Sequence, residues 1–178
     1  MLESLSDMHK SYLVLLLLLL MGGQQYSFAQ FSGGKLQATG LTCALCNKAI
    51  HQSLEELAFV EKVEADIKSS SFSLTFRNDH VVNPAQLKAA VEDAGFFVGE
   101  LQLTGTWNQD EVERGVSFIW GGHSYQFISS KTPSAAKSFN CIVAGKGYLT
   151  DKSFKKLKNE YGAYFKLENN IIQLILVK

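Results

Sequence analysis

The sequence predicts an α+β protein: a βαββαβ domain followed by a smaller β-rich domain with one helix. Two observations carry this prediction. Apolar residues alternate with polar ones in several short segments, as in half-buried strands, and recur at helical spacing in two segments between them. A polar, turn-rich stretch at 104–115 then separates these elements from a second set. We therefore place one domain at residues 30–104 and another at 105–178, and expect each to fold by itself.

The first domain reads as six elements in a fixed order. Asn83 and Pro84 supply a helix start, with an N-cap side chain followed by proline in the first turn, and Gly95 supplies the stop. The segments around Ser69 to Ser71 alternate in hydropathy on both sides and predict a hairpin. In order, the elements are a strand at 35–41, a helix at 44–58, strands at 60–67 and 72–76, a helix from 84 and a strand at 96–103. This order is the split βαβ arrangement of ferredoxin-like folds.

The second domain reads as three strands, a helix and a final hairpin. The predicted segments are strands at 116–120, 124–130 and 139–145, a helix at 149–161 capped by Thr150 or Asp151, and a hairpin at 163–178 that turns at Asn169 and Asn170. This set suits a small barrel of the OB type. A sandwich and an open α+β sheet are the alternatives.

The N-terminal residues have the pattern of a secretory signal. Lys10 precedes an apolar run of nine residues, Leu13 to Met21, which is shorter than the roughly 20 residues that span a bilayer as a helix. Ser27 and Ala29 then fit a small-x-small cleavage site. We expect residues 1–29 to be removed and the protein to be periplasmic or extracellular, with no membrane span left. An uncleaved anchor over the same residues is the alternative.

Charge excludes some partners and distinguishes the two halves. Residues 30–104 carry nine acidic and six basic residues, whereas residues 105–178 carry six acidic and ten basic ones. The total is close to neutral, so no strong field attracts nucleic acid. The basic excess includes a lysine-rich helix, which is either a solvated face or a docking surface for an acidic partner. Its lysines are Lys152, Lys155, Lys156 and Lys158.

Two cysteines three positions apart, in the motif GLTCALC at 40–46, are the strongest chemical feature of the sequence. Cys43 falls in the loop after the first strand and Cys46 in the first turn of the helix, where free backbone N–H groups favour the thiolate. Two thiolates without further ligands nearby suit a soft ion such as Cu(I) better than zinc, which takes four ligands in structural sites. His51 is more than one turn away, so a solvated histidine is the better interpretation; His80 is likewise expected at the surface.

Residues 35–103 resemble the heavy-metal-associated domain of copper chaperones, metal-transporting ATPases and periplasmic mercury-binding proteins. The resemblance lies in GLTCALC, in VEKVEADI at 60–67 and in LKAAVEDAGFFV at 87–98. It implies that Cys43 and Cys46 bind one soft ion, Cu(I) first and Hg(II) or another thiophilic ion as alternatives. The family usually has methionine where this chain has Leu41, and it places an aromatic residue or a lysine near the metal at the position of Phe96 or Phe97.

The resemblance and the thiol pair predict a non-enzymatic carrier that binds a soft metal ion and meets a metal acceptor or a metal-transporting membrane protein. Two alternatives stay open. The protein is a partner-binding module whose cysteines form a structural disulfide, or a thiol-disulfide oxidoreductase. The oxidoreductase alternative expects a thioredoxin topology with a proline opposite the thiols, and neither Pro84 nor Pro133 fits that position.

The remaining cysteine and the aromatic residues of the second half are assigned to packing. Cys141 lies in an apolar segment, and a free cysteine in such a segment is usually buried. A role as third metal ligand would require the second domain to fold over the loop. The aromatic residues expected in the core or at its rim are Trp107, Trp120, Tyr125 and Phe127.

Overall fold

A computed structural model of the chain describes residues 30–41, 44–106, 115, 117–128, 138–162, 164–165 and 171–177. The described part contains eight strands and three helices. The strands are β1 (Gln30–Thr39), β2 (Val60–Asp66), β3 (Ser71–Phe76), β4 (Phe97–Thr106), β5 (Ser117–Trp120), β6 (His123–Phe127), β7 (Ser138–Val143) and β8 (Ile171–Val177). The helices are α1 (Ala44–Glu55), α2 (Pro84–Asp93) and α3 (Asp151–Tyr161).

The first half has the predicted ferredoxin-like arrangement. Strands β2, β3, β1 and β4 are neighbours in that order, and all three pairings are antiparallel. The two helices pack on one face of this sheet, because Ile50 and Leu54 of α1 and Leu87 of α2 are fully buried in the same cluster as Leu36 and Leu101 of the strands. The fold thus carries the chain from the centre of the sheet, at the end of β1, directly into α1.

The turns of the first half form as the sequence predicts. The side chain of Asn83 accepts a hydrogen bond from the Ala85 N–H and caps α2, with Pro84 in its first turn. In the β2–β3 hairpin, Asp66 accepts hydrogen bonds from the Ser69 hydroxyl and the Lys68 amide, which lower the pKa of its carboxyl group. Helix α1 ends at Glu55, three residues earlier than the sequence predicts.

The sheet continues across the predicted domain boundary. Strand β4 runs through to Thr106 and pairs on its second edge with β7, so that Thr104 lies opposite Asn140. The full order is β2-β3-β1-β4-β7-β8-β6-β5. Residues of both halves, such as Leu103 and Cys141, also share one apolar cluster. The two halves thus share one sheet because β7 pairs with the edge of β4 that β1 does not use, while their separate folding stays a prediction.

The second half curls around an aromatic core that also includes a residue of β1. Five strand spacings of about 4.8 Å separate β1 from β5 in the sheet order, a distance of about 24 Å in a flat sheet. The rings of Phe31 in β1 and Trp120 in β5 nevertheless lie 3.9 Å apart between centroids. The curled sheet is a partly closed half-barrel. Because β1 and β5 do not pair among the described residues, the OB-type barrel is not confirmed.

The first strand and the turn of the predicted C-terminal hairpin lie largely outside the described residues, and the second strand is β8. Strand β8 lies between β6, to which it is parallel, and β7, to which it is antiparallel. Strand β6 pairs with the first half of β8, Ile171 to Leu174, and β7 with the second half, Leu174 to Val177. Of residues 163–168 the structure describes Tyr164 and Phe165, which lie outside any strand.

Helix α3 covers the opposite face of the second half. Cys141 points into the main cluster, and the next residue of β7, Ile142, packs against a second cluster with Phe154 and Leu157 of α3. Thr150 caps this helix by accepting a hydrogen bond from the Ser153 N–H. Among the described residues, no helix combines the length and hydropathy that crossing a membrane requires.

Candidate metal centre

The loop that carries the thiol motif leaves β1 at a glycine with a special backbone conformation. Gly40 has φ +86°, a backbone conformation that residues with a side chain rarely adopt. Just before it, Thr39 pairs with Phe97 of β4, and its hydroxyl donates to the Phe97 carbonyl at 3.3 Å. Leu41 packs against the main core as the apolar support that its position predicts. The base of the loop is thus fixed by the two central strands.

The turn after α2 places an aromatic ring against this loop. The N–H of Gly95 bonds to the Glu92 carbonyl and the N–H of Phe96 to the Val91 carbonyl, which together make a Schellman motif with Gly95 at φ +88°. The Phe96 ring then comes within 3.9 Å of the position that a Cβ of Gly40 would occupy. Of the two candidate rings, Phe96 is the one that contacts the base of the loop, and Phe97 is 68% exposed.

Cys46 lies in the first turn of α1 and is partly buried. The second predicted ligand, Cys43, lies outside the described residues. In this structure Cys46 is disulfide-bonded, which is the oxidised form of a thiol and not the form that binds metal. Leu45, the neighbour of Cys46, is 78% exposed, so this end of α1 is open to solvent. Within the described ranges, no cluster of three or more histidine, cysteine, aspartate or glutamate side chains could hold a metal ion.

His51 is a structural contact between α1 and β2 and not the solvated residue that the sequence predicts. Its Nε2 lies 3.1 Å from the Val63 carbonyl oxygen, and its Nδ1 lies 3.1 Å from the Glu55 carboxylate. Both ring nitrogens therefore face acceptors. His80, by contrast, contacts the neighbouring Asp79 at 2.8 Å and is at the surface as predicted.

Cys141 is a fully buried free thiol, as its sequence context predicts. Its Sγ donates to the Leu103 carbonyl at 3.6 Å across the β4–β7 pair. Burial raises the pKa of this thiol far above its usual value. The side chain is a packing residue of the shared core. The predicted core positions of Trp120, Tyr125 and Phe127 are confirmed as well, whereas Trp107 lies outside the described residues.

The second half reaches the end of the sheet where the thiol motif lies, which the sequence did not predict. After β7 the chain follows the edge of β4, with a bridge between Leu149 and Glu100 and a hydrogen bond of 3.0 Å from the Thr150 N–H to the Gly99 carbonyl. Helix α3 therefore begins beside β4, because Thr150 contacts Gly99, the residue two positions after Phe97. Only the long-range pairing of β4 with β7 sets this position, so no local pattern could have predicted it.

Residues 35–97 match the family model of the heavy-metal-associated domain. That segment of the chain belongs to the heavy-metal-associated domain family. The match ends at the start of β4 and leaves the second half unassigned. No curated protein matches the chain.

Several solved structures are similar to part of the chain. The yeast copper transporter domain Ccc2a, in its apo and Cu(I)-loaded states, is 27% identical over 38% of this chain and 90% of its own, with a TM-score of 0.34. The CopZ metallochaperone is 25% identical over 38% and 98%, with a TM-score of 0.35. Oxidised MerP from Ralstonia metallidurans CH34 is 25% identical over 38% and 90%, with a TM-score of 0.33.

Proposed function

We propose that this protein is an exported, non-enzymatic carrier that binds one soft metal ion, Cu(I) first, through Cys43 and Cys46. The ion is its cargo. The observation that carries the proposal is the heavy-metal-associated domain at 35–97, with a partly exposed Cys46 in the first turn of α1. A family named for association with heavy metals supports metal binding by this segment. Hg(II) or another thiophilic ion is the alternative cargo.

The chemistry of the motif supports a soft, two-coordinate ion. Thiolates are soft ligands, and the N-terminus of α1 presents backbone N–H groups that favour negative charge. Among the described residues, the one histidine near the motif, His51, has both ring nitrogens directed at Glu55 and Val63. A third ligand is therefore not expected from His51. Cys141 is also removed from the loop, because it is buried between β4 and β8.

A Cu(I) titration tests this proposal. The protein is reduced under anaerobic conditions and titrated against the competing chelator bicinchoninate, together with Cys43→Ser, Cys46→Ser and the control Cys141→Ala. We expect one Cu(I) per chain for the parent and the control. Each serine variant should lose more affinity than the roughly 10- to 100-fold that the loss of an outer-shell partner costs. Equal affinity in all four proteins would refute the thiol pair as the site.

A structural disulfide is the second candidate role of the pair, because Cys46 has the oxidised form that this role needs. The carrier role needs the dithiol form. Reducing the disulfide to two thiols consumes two electrons and two protons. The reduction potential of the pair, measured in glutathione buffers, distinguishes the two roles. A potential below about −300 mV would keep the pair oxidised outside the cytoplasm and would favour the structural role. The oxidoreductase alternative expects a thioredoxin topology, and the first half has a ferredoxin-like one instead.

Export belongs to the same proposal. The predicted signal, residues 1–29, lies outside the described residues. N-terminal sequencing of the protein recovered from an expressing cell tests the cleavage. A first residue of Gln30 is expected, and a chain that retains its apolar run in the membrane fraction would favour the uncleaved anchor.

A further inference from the structure

We propose that the beginning of α3, together with Phe97, forms a docking surface beside the thiol loop for an acidic protein that exchanges the metal ion. The inference rests on the proposed carrier function and adds the chemistry of the partner. Helix α3 lies outside the matched segment 35–97, so this surface is a property of the second half of the chain.

The backbone fixes the start of α3 next to β4, whose neighbour β1 leads into the thiol loop. A Cβ on Gly99 would lie 2.7 Å from Cγ2 of Thr39 and 3.9 Å from Cγ2 of Thr150, so both threonines flank this glycine. The hydrogen bond from the Thr150 N–H to the Gly99 carbonyl holds the contact. Thr39 is the last residue of β1 and precedes Cys43 by four positions. The N-terminal end of α3 therefore lies at the same end of the sheet as the thiol motif.

The solvent face of α3 is basic. Phe154, Leu157 and Tyr161 pack against the sheet, and at 100° per residue Lys152 and Lys155 project from the opposite side. All four lysines of the helix are exposed, and none forms a salt bridge within the described residues. With a rise of 1.5 Å per residue, Lys152 lies about 3 Å and Lys155 about 8 Å beyond Thr150 along the helix axis. Asp151 begins the helix and offsets one of the four lysines, so residues 151–158 carry a net charge of +3.

Phe97 gives this basic surface an apolar contact. Thr39 and Phe97 are paired residues on adjacent strands, so their side chains lie on the same face of the sheet, the face on which Thr150 rests. The Phe97 ring is 68% exposed there. An exposed ion pair contributes only about 0 to 1 kcal/mol, so a docking surface needs apolar contact in addition to charge. The exposed ring of Phe97 supplies this apolar contact next to the lysines.

The occupant that fits is a protein with carboxylates around its own thiol pair. A metal acceptor must bring its thiols to the loop that holds Cys43, and the basic start of α3 lies beside β4, the neighbour of the strand that enters this loop. Opposite charge on the acceptor would steer the encounter and fix its orientation. Because the lysines are exposed, this steering is expected to weaken as salt shortens the Debye length, which is about 8 Å at 0.15 M.

Cu(I) transfer to two synthetic acceptor peptides tests the surface. Both peptides carry one Cys-x-x-Cys pair, followed by four glutamates in one and four glutamines in the other. For the reduced, Cu(I)-loaded full chain, we expect transfer to the acidic peptide to be on the order of tenfold faster at low salt, and the difference to disappear at 0.5 M salt. The variant Lys152→Gln/Lys155→Gln should lose most of this preference. Lys62→Gln/Arg77→Gln removes the same charge from the end of the β2–β3 pair that lies away from the thiol loop and should keep it.

The outcomes separate the failure of each idea. A parent protein that takes up no Cu(I) refutes the carrier function itself. Normal loading with equal transfer rates to both peptides refutes the docking surface alone. Two further results would overturn it in favour of another occupant. If the protein self-associates in a salt-sensitive way and the Lys152→Gln/Lys155→Gln variant does not, the occupant is a second copy. Binding to phosphatidylglycerol vesicles that the variant loses, without a peptide preference, points to a membrane.

Discussion

At the scale of single residues, burial decides the chemistry of the third cysteine. The Cys141 thiol is fully buried and has a pKa raised by that burial above its ordinary value of 9.0. The folded protein therefore holds this proton more tightly than the unfolded chain does. Its contribution to stability is complete below about pH 9 and is lost as the pH rises toward the folded pKa. Burial likewise raises the pKa of Tyr148, to about 12.

We therefore expect the alkaline loss of stability to depend on Cys141. Between pH 8 and pH 10 the thiol accounts for roughly 1.4 kcal/mol of the decrease in the free energy of unfolding. Cys141→Ala should be less stable at pH 7, by about 1 kcal/mol for the lost packing, and should show a shallower decrease toward pH 10. Urea denaturation at each pH measures both effects. Parallel pH profiles for parent and variant would contradict this account.

His51 and His80 form a matched pair for a second prediction. His51→Ala removes the contact of α1 with the Val63 carbonyl and should lower the free energy of unfolding by about 1 kcal/mol. His80→Ala removes a contact with the adjacent Asp79 only and should change it by less than about 0.5 kcal/mol. Neither change should alter Cu(I) affinity in the chelator competition. A loss of affinity in His51→Ala alone would make His51 a ligand.

At the scale of secondary structure, the end of α2 positions a side chain at the thiol loop. The Schellman motif needs Gly95 at positive φ, and it delivers Phe96 to Gly40. Gly95→Ala should cost roughly 1 to 2 kcal/mol because alanine disfavours this conformation. Gly95→Asn should cost less, since asparagine tolerates it. Thermal unfolding of the two variants provides the comparison, and equal losses would mean that the cap conformation is not what matters at this position.

At the scale of the whole molecule, the second half is expected to depend on the first. The fragment 105–178 lacks most of β4, the strand that pairs with β7. It also lacks Phe31, whose ring contacts Trp120. We expect this fragment to unfold without a cooperative transition. A longer fragment that begins at Phe97 regains β4 and should be more ordered. Dispersed NMR spectra from the 105–178 fragment would restore the boundary at Thr104 and the independent second domain.

The sequence by itself determined the elements of the first half and its family. Periodicity, the Asn83-Pro84 start, the Gly95 stop and the hairpin at Ser69 to Ser71 depend on neighbouring residues, so they are legible along the chain. The thiol spacing is local as well, and with these elements it led to the heavy-metal-associated family. In the second half, local patterns predicted the strands β5 to β7 and the helix α3 with its Thr150 cap.

Only the tertiary structure decided how the two halves combine. Strand pairing joins residues far apart in sequence, so no local pattern showed that β7 adds to the free edge of β4 or that β8 lies between β6 and β7. The same holds for His51, whose partner Val63 lies on another element, and for Thr150, which reaches Gly99 through the sheet edge. These positions depend on long-range hydrogen bonds and shared burial, which exist only once the chain has folded.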